Sequence, residues 1–316
     1  MARVTFVDRE PAQAHFGEEV LAGLARGDKA IGPKWLYDAL GSKLFEAICE
    51  LPEYYLTRVE MALFRRHAQA MAARCGDGRV LVELGCGAGD KVGLLLPHLR
   101  PGAYVAVDIA RGPLAQAAEA VAERAPSLDV YALCADFAGG LVLPDEVPRG
   151  PRLYFYPGSS IGNFGPEDAV SLLGPLAHAN ARLLIGIDLV KDRAVLEAAY
   201  DDALGVTAAF NRNLLVRINR ELGGTFRVPE FRHVARFDPS LGCIHMELES
   251  RVAQTVEVLG QPFAFRAGER LHTEHSYKYT LESFAALAAE AGWRLVEAWT
   301  DPDGWFAECL FESATT

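Results

Sequence analysis

Short apolar runs separated by helical stretches constrain this chain more than any other feature. Arg79–Gly85 (RVLVELG), Ala103–Asp108 (AYVAVD), Leu128–Ala132, Arg152–Tyr156 (RLYFY) and Arg182–Leu189 (RLLIGIDL) each read as a strand with little polar interruption. A strand with one wet face alternates apolar and polar residues, whereas a strand covered on both faces need not. Helical segments are expected after the first run to about Leu99, at Pro113–Ala125 and at Pro166–Ala177. Strands spaced by helices give a parallel sheet, and right-handed crossovers make it doubly wound. A further helix at Thr280–Ala291 precedes two strands, Trp293–Thr300 and Trp305–Glu312, joined by the turn-forming Asp301-Pro302-Asp303-Gly304. Such a terminal hairpin supplies an antiparallel edge.

Two regions break the rhythm. The first sixty residues look helical and turn-rich. Phe16–Arg26 has helical spacing, Gly32-Pro33 interrupts it, and a second helix runs from Leu36 to Leu51. A third begins near Thr57, with Glu60 placed as its capping-box partner, and reaches about Arg74. Between Lys191 and Arg270, helices at Asp192–Ala203 and Ala208–Leu222 precede short alternating runs at Arg232–Phe237, Ile244–Ser250 and Gln254–Leu259. The expected organisation is a larger α/β domain from residues 59–191 and 276–316. A smaller α+β domain, from 1–58 and 192–275, grips the substrate.

Charge narrows the partners. With 31 Lys and Arg against 42 Asp and Glu, the net charge is 31 − 42 = −11. That balance argues against a basic nucleic-acid face. No run approaches a membrane span, and Met1–Phe16 lacks a secretory apolar core, so a cytoplasmic protein is expected. The six cysteines (49, 75, 86, 134, 243 and 309) lack CxxC spacing and read as reduced thiols. His272-Thr-Glu-His275 fits no metal-ligand spacing such as H-E-x-x-H, so no metal is assigned. Oligomeric state is not readable.

The first strand runs into Glu83-Leu-Gly85-Cys-Gly87-Ala-Gly89. Glycines let the main chain turn sharply and approach a ligand at the carboxyl end of a parallel sheet. G-x-G-x-G is typical of S-adenosylmethionine (SAM) methyltransferases, whereas dinucleotide enzymes use G-x-G-x-x-G. Asp108, ending the second strand, can accept both ribose hydroxyls, or be merely an exposed acid. Asp136-Phe137, after the third strand, suits an adenine amino group and ring, though a helix cap and a core Phe fit as well. Lys91 can reach a carboxylate or stay solvated. The loop Gly158-Ser-Ser-Ile-Gly162-Asn163-Phe164 lies where methyltransferases place the acceptor, and Asn163 offers an amide there.

Longer strings point further. Pro33–Asp38 (PKWLYD), Gly41–Glu46 (GSKLFE), Leu51–Arg58 (LPEYYLTR), Gly158–Asn163, Asp188–Asp192, Ala199–Asp202, Gly205–Asn213 and Ile218–Leu222 resemble the L-histidine Nα-methyltransferases of ergothioneine biosynthesis. The resemblance covers nearly the whole chain. It implies a class I (Rossmann-like) SAM methyltransferase sheet and methylation of histidine's α-amine up to the trimethylated betaine, hercynine. Another amino acid, or a modified histidine, is the alternative acceptor. By resemblance, Gly85, Lys91, Asp108, Asp136 and Phe137 bind SAM, with Gly87 added by the glycine motif. Tyr37 lies near the amine and sulfonium. Asn163 and Tyr200 hold the amino-acid end of histidine, with Gly158 in the acceptor loop. Tyr54, Met246, Glu274 and Ser276 form the imidazole pocket. In an extended segment Glu274 and Ser276 point the same way, so one wall can serve both ring nitrogens. The chain departs from the family at Cys86 and Ala88-Gly89, where a serine and a Thr-Ser pair are usual, and at Tyr156-Pro157, His275 and Tyr277.

Overall fold

The computed structural model describes residues 4–9 and 12–315, which divide into two compact units. The first takes Leu56–Val190 and Lys278 onward together with the strand β1 (Val4–Asp8); the second takes Gln13–Tyr55 and Lys191–Tyr277. β1 lies in a stretch expected to be helical and to belong with the smaller domain. Its Val-Thr-Phe-Val run instead pairs in parallel with β4 and extends the large sheet at one edge.

The sheet of the first unit contains β1, β2 (Val80–Leu84), β3 (Ala103–Asp108), β4 (Val130–Cys134), β5 (Arg152–Tyr156) and β6 (Arg182–Asp188), all parallel. The chain then builds the second unit's strands: β7 (Phe231–Asp238), β8 (Cys243–Ser250), β9 (Gln254–Val258), β10 (Gln261–Phe265) and β11 (Arg270–Tyr277). It returns with β12 (Trp293–Thr300) and β13 (Phe306–Ser313), giving the order β1-β4-β3-β2-β5-β6-β13-β12. β13 runs antiparallel between β6 and β12, the edge the hairpin was expected to form. Asp301 shapes that turn by accepting from the amides of Asp303, Trp305 and Phe306.

β2 is buried along its whole length, which explains its apolar sequence. Its one acid, Glu83, is 1% exposed and accepts a 2.5 Å hydrogen bond from the Tyr104 hydroxyl. Burial pushes the Glu83 carboxyl up to about 8. Asp188 and Lys278 form a fully buried ion pair at 2.7 Å, where β6 ends.

In the second unit β7, β8 and β11 form an antiparallel sheet, and β9 and β10 a separate hairpin. The helices Ala39–Cys49 and Val206–Leu222 pack on each other, with Asp38 capping the first and bonding Asn213 on the second. β10 was not expected as a strand, and β11 was expected only as an extended segment around Glu274 and Ser276. Pro262 interrupts the first, and a bulge breaks the second's alternation. Among the described residues no helix is long and apolar enough to cross a membrane, and the six cysteines are free thiols.

Candidate active site

The candidate residues fall into two groups, one in each unit. In the first unit the turn after β2 places Gly85, Gly87 and Gly89 at φ 68°, 52° and 74°, the left-handed region that glycine tolerates best. A Cβ on Gly85 or Gly87 would meet nothing within 4 Å, whereas one on Gly89 would press on Ala117 at 3.4 Å. The first two glycines therefore leave bare main chain facing open space; the third permits close helix packing. Asp108 ends β3 beside them. Its Oδ2 accepts from Gly87 N at 3.1 Å and its Oδ1 from Ala110 N at 2.9 Å. Burial raises its pKa, and those amide bonds oppose the rise. Asp136 follows the adjacent β4, caps the turn Phe137–Gly139 and keeps one oxygen on Ala138 N at 3.0 Å. Phe137 is half-buried and meets the Tyr156 ring edge-on at 5.8 Å.

Beneath this turn sits a group of charges that sequence reasoning misplaced. Glu60 does not cap the start of the helix Tyr55–Cys75. It is fully buried within that helix, pairs with Lys91 Nζ, and accepts from Gly158 N at 2.5 Å. Lys91 thus reaches a carboxylate of the protein itself. Glu308 lies against Glu60, and burial beside that acid drives its carboxyl far above the usual range, so it holds a proton. At Gly186 a Cβ would stand 2.8 Å from oxygens of both acids, which is why β6 carries glycine there. Glu308 stands among apolar residues on β13, so an acid inside the buried part of a strand was its only signal. Gly158 itself has φ 82°, and a Cβ on it would come within 3.0 Å of Lys91 Nζ. The next residue, Ser159, is also left-handed and accepts the Asp188 amide on its Oγ at 2.8 Å. The following turn, Ser160–Asn163, leaves Asn163 half-buried.

The donor set suits SAM. Two strand-end carboxylates match a ribose diol and an adenine amino group, Phe137 offers a ring, and the open space over Gly85 and Gly87 admits a ligand close to the main chain.

In the second unit a pocket is lined by Tyr37, Phe45, Ile48, Tyr54, Ala199, Tyr200, Thr207, Phe210, Met246 and Glu274. It gathers Tyr37, Tyr54, Tyr200, Met246 and Glu274 from four separate stretches of sequence. Ser276 joins them through a 2.7 Å hydrogen bond with the Tyr200 hydroxyl. Register explains the wall. Glu274 pairs with Met246 and Ser276 with Ile244, so both polar groups share one face of β11. Rings meet edge to face around the space: Tyr37 with Phe45 at 5.5 Å and Phe210 at 5.4 Å, and Tyr54 with Tyr200 at 6.2 Å. Burial, then the charge of its neighbours, holds the Tyr54 hydroxyl firmly protonated.

Phe45, Phe210 and Thr207 belong to the strings that carried the resemblance but had no assigned role. Behind Tyr200 stands His233, also unforeseen. Its Nδ1 accepts from Asn211 Nδ2 at 2.9 Å, and its Nε2 donates to the Tyr200 carbonyl at 2.8 Å. Burial lowers its pKa, so a neutral imidazole fixes Tyr200 from behind.

Residues 16–313 match the family model for SAM-dependent, histidine-specific methyltransferases. The chain belongs to that family. This methyltransferase is 40% identical over 321 residues to the histidine N-alpha-methyltransferase of Mycolicibacterium smegmatis, with 98% of each chain covered. Its identity to the Mycobacterium tuberculosis enzyme of the same name is also 40%, over 92% of this chain and 93% of that one. A third relative, ergothioneine biosynthesis protein 1 of Neurospora crassa, is 31% identical over 87% of this chain, which spans 32% of that longer protein. The strand order with its antiparallel β13 is the class I methyltransferase sheet, extended here by β1.

Proposed function

We propose that this methyltransferase moves the sulfonium methyl of SAM onto the α-amino nitrogen of L-histidine, three times in succession, giving hercynine for ergothioneine assembly. The observation that carries this is the second unit's cavity, where the acid Glu274 and the hydroxyl-bearing Tyr37, Tyr54, Tyr200 and Thr207 line a space otherwise walled by apolar side chains. Imidazole has two nitrogens that need partners and an apolar ring edge that does not. A pocket with placed acceptors rejects apolar isosteres of similar size far better than a greasy one.

SAM, when bound, supplies an electrophilic methyl group. Gly85, Gly87, Lys91, Asp108, Asp136 and Phe137 are assigned to hold it. The protein's own task is to position the amine and keep water away. Tyr54, Met246, Glu274 and Ser276 hold the imidazole; Tyr200, Asn163 and Gly158 hold the amino-acid end; Tyr37 orients the amine, which must shed a proton before each transfer. Each step forms one N–C bond, breaks one S–C bond and leaves a neutral thioether. The product is a quaternary cation, which suits the faces of tyrosine and phenylalanine rings.

The test is a mass measurement after incubating purified protein with SAM and each of the twenty amino acids separately. Histidine should gain up to three methyl groups while the others stay unmodified. Faster methylation of another amino acid, or no methylated product, overturns the assignment.

A further inference from the structure

The outer face of the second unit's three-stranded sheet gathers chemistry that the methyl-transfer assignment does not use. Cys243 and His245 are two apart on β8 and share a face, opposite to Ile244 and Met246. His272 and His275 are three apart on β11, a spacing that puts residues on opposite faces of a regular strand. Here the register slips between His272 and Glu274, so His272 pairs with Glu247 while His275 pairs with His245. The extra residue, Thr273, is fully buried and donates its hydroxyl to the Met246 carbonyl at 3.0 Å. The bulge therefore turns both histidines to the face that carries Cys243 and His245.

Each of Cys243, His245 and His275 offers a ligand atom, and those atoms all lie within 4.8 Å of one another. Cys243 Sγ is 3.6 Å from His275 Nδ1. Zinc–sulfur and zinc–nitrogen bonds of about 2.3 and 2.0 Å give a tetrahedral S···N edge of about 3.5 Å, so that pair already has ligand spacing. His245 Nε2 is buried and has no hydrogen-bond partner among the described residues. His272 packs its ring on His275 at 3.9 Å and restrains it. Burial lowers the pKa of all three histidines, so each presents a lone pair at neutral pH. Arg236, opposite His245 on β7, lies 3.5 Å from the Glu247 carboxylate, and its charge with that of Arg26 bears on His272. His275 is half-buried, which leaves an ion a path from solvent.

We propose that Cys243, His245 and His275 form a binding site for a zinc-type divalent transition metal, with solvent at the fourth position. Thiolate and imidazole favour such ions over magnesium or calcium. The opposite face of the same bulge presents Glu274, so a bound ion braces the strand pair behind the cavity. The site stands on its own residues, whatever acceptor the enzyme methylates.

Cobalt(II) titration of the tag-free, metal-free full chain tests this, because tetrahedral cobalt–thiolate sites absorb both in the near ultraviolet and in the visible. One equivalent should give a sulfur-to-cobalt charge-transfer band that one equivalent of zinc abolishes. Cys243→Ser should lose that band, and His275→Ala should weaken cobalt binding at least about tenfold, each with an unchanged circular-dichroism spectrum. If Cys243→Ser proves unfolded, the half-exposed His275→Ala decides. No charge-transfer band in the wild type, a band that survives in folded Cys243→Ser, or unchanged cobalt affinity in His275→Ala overturns the proposal.

Discussion

In the first unit, Gly85 and Gly87 leave bare main chain against open space, and the side chain of Asp108 accepts from the Gly87 amide. In the second, the cavity is walled by side chains, half of them aromatic, with Glu274 as its acid. The two constructions respond differently to sequence change. A main-chain cradle needs particular φ angles and empty volume, so it tolerates almost nothing but glycine, yet it says little about which ligand is chosen. A side-chain cavity folds with many residue types, and each polar group in it discriminates among ligands.

The sharpest way to break this contrast is to fill the cradle. Gly87→Val forces a β-branched residue into the left-handed region, at a cost of roughly 1–2 kcal/mol, and projects methyl groups into the open space. SAM affinity measured by calorimetry should fall at least about 100-fold, equivalent to about 2.7 kcal/mol. Unchanged SAM affinity would show that this turn does not hold the cofactor.

The complementary test removes the cavity's acid. Charge-assisted hydrogen bonds contribute about 1.5–3 kcal/mol, so Glu274→Ala should weaken histidine binding about 10- to 100-fold. SAM binding should stay within error, and Glu274→Gln should recover part of the loss. Histidine affinity unaltered in Glu274→Ala, read by the same calorimetry, removes Glu274 from the imidazole pocket.

The same contrast explains what sequence alone revealed. The cradle was legible because its requirement is local: a buried strand, three glycines and a helix lie within about fifteen consecutive residues, and Asp108 and Asp136 end the next two strands. The cavity draws on positions from Tyr37 to Glu274, and no periodicity links them; only resemblance to a family brought those residues together. β1 stayed hidden because five residues at a sheet edge carry too weak a pattern beside helical neighbours. Glu60 was misread because a Thr followed three residues later by Glu is a helix-start signature. Nothing local to it shows that its carboxylate is buried against Lys91. The bulge at Thr273 defeats a strict two-residue alternation, which is why His272-Thr-Glu-His275 matched no ligand spacing until the strand was placed.

The smallest effect concerns stability beneath the cradle, where acids are buried as structure rather than presented to ligand. Glu83 has a folded pKa of about 8 against an ordinary value of 4.5. Between those values the folded protein binds the extra proton and the unfolded chain does not, so unfolding free energy falls as pH rises from about 4.5 to about 8 and levels off above. Glu308 acts in the same direction. Glu83→Gln keeps an acceptor for the Tyr104 hydroxyl while removing one titration. Thermal melts across that range should therefore show a shallower decline in Tm for Glu83→Gln, with a residual slope from Glu308. An identical slope in Glu83→Gln and wild type would mean that Glu83 is ionised in the folded protein, and that the strand beneath the glycines tolerates a buried charge.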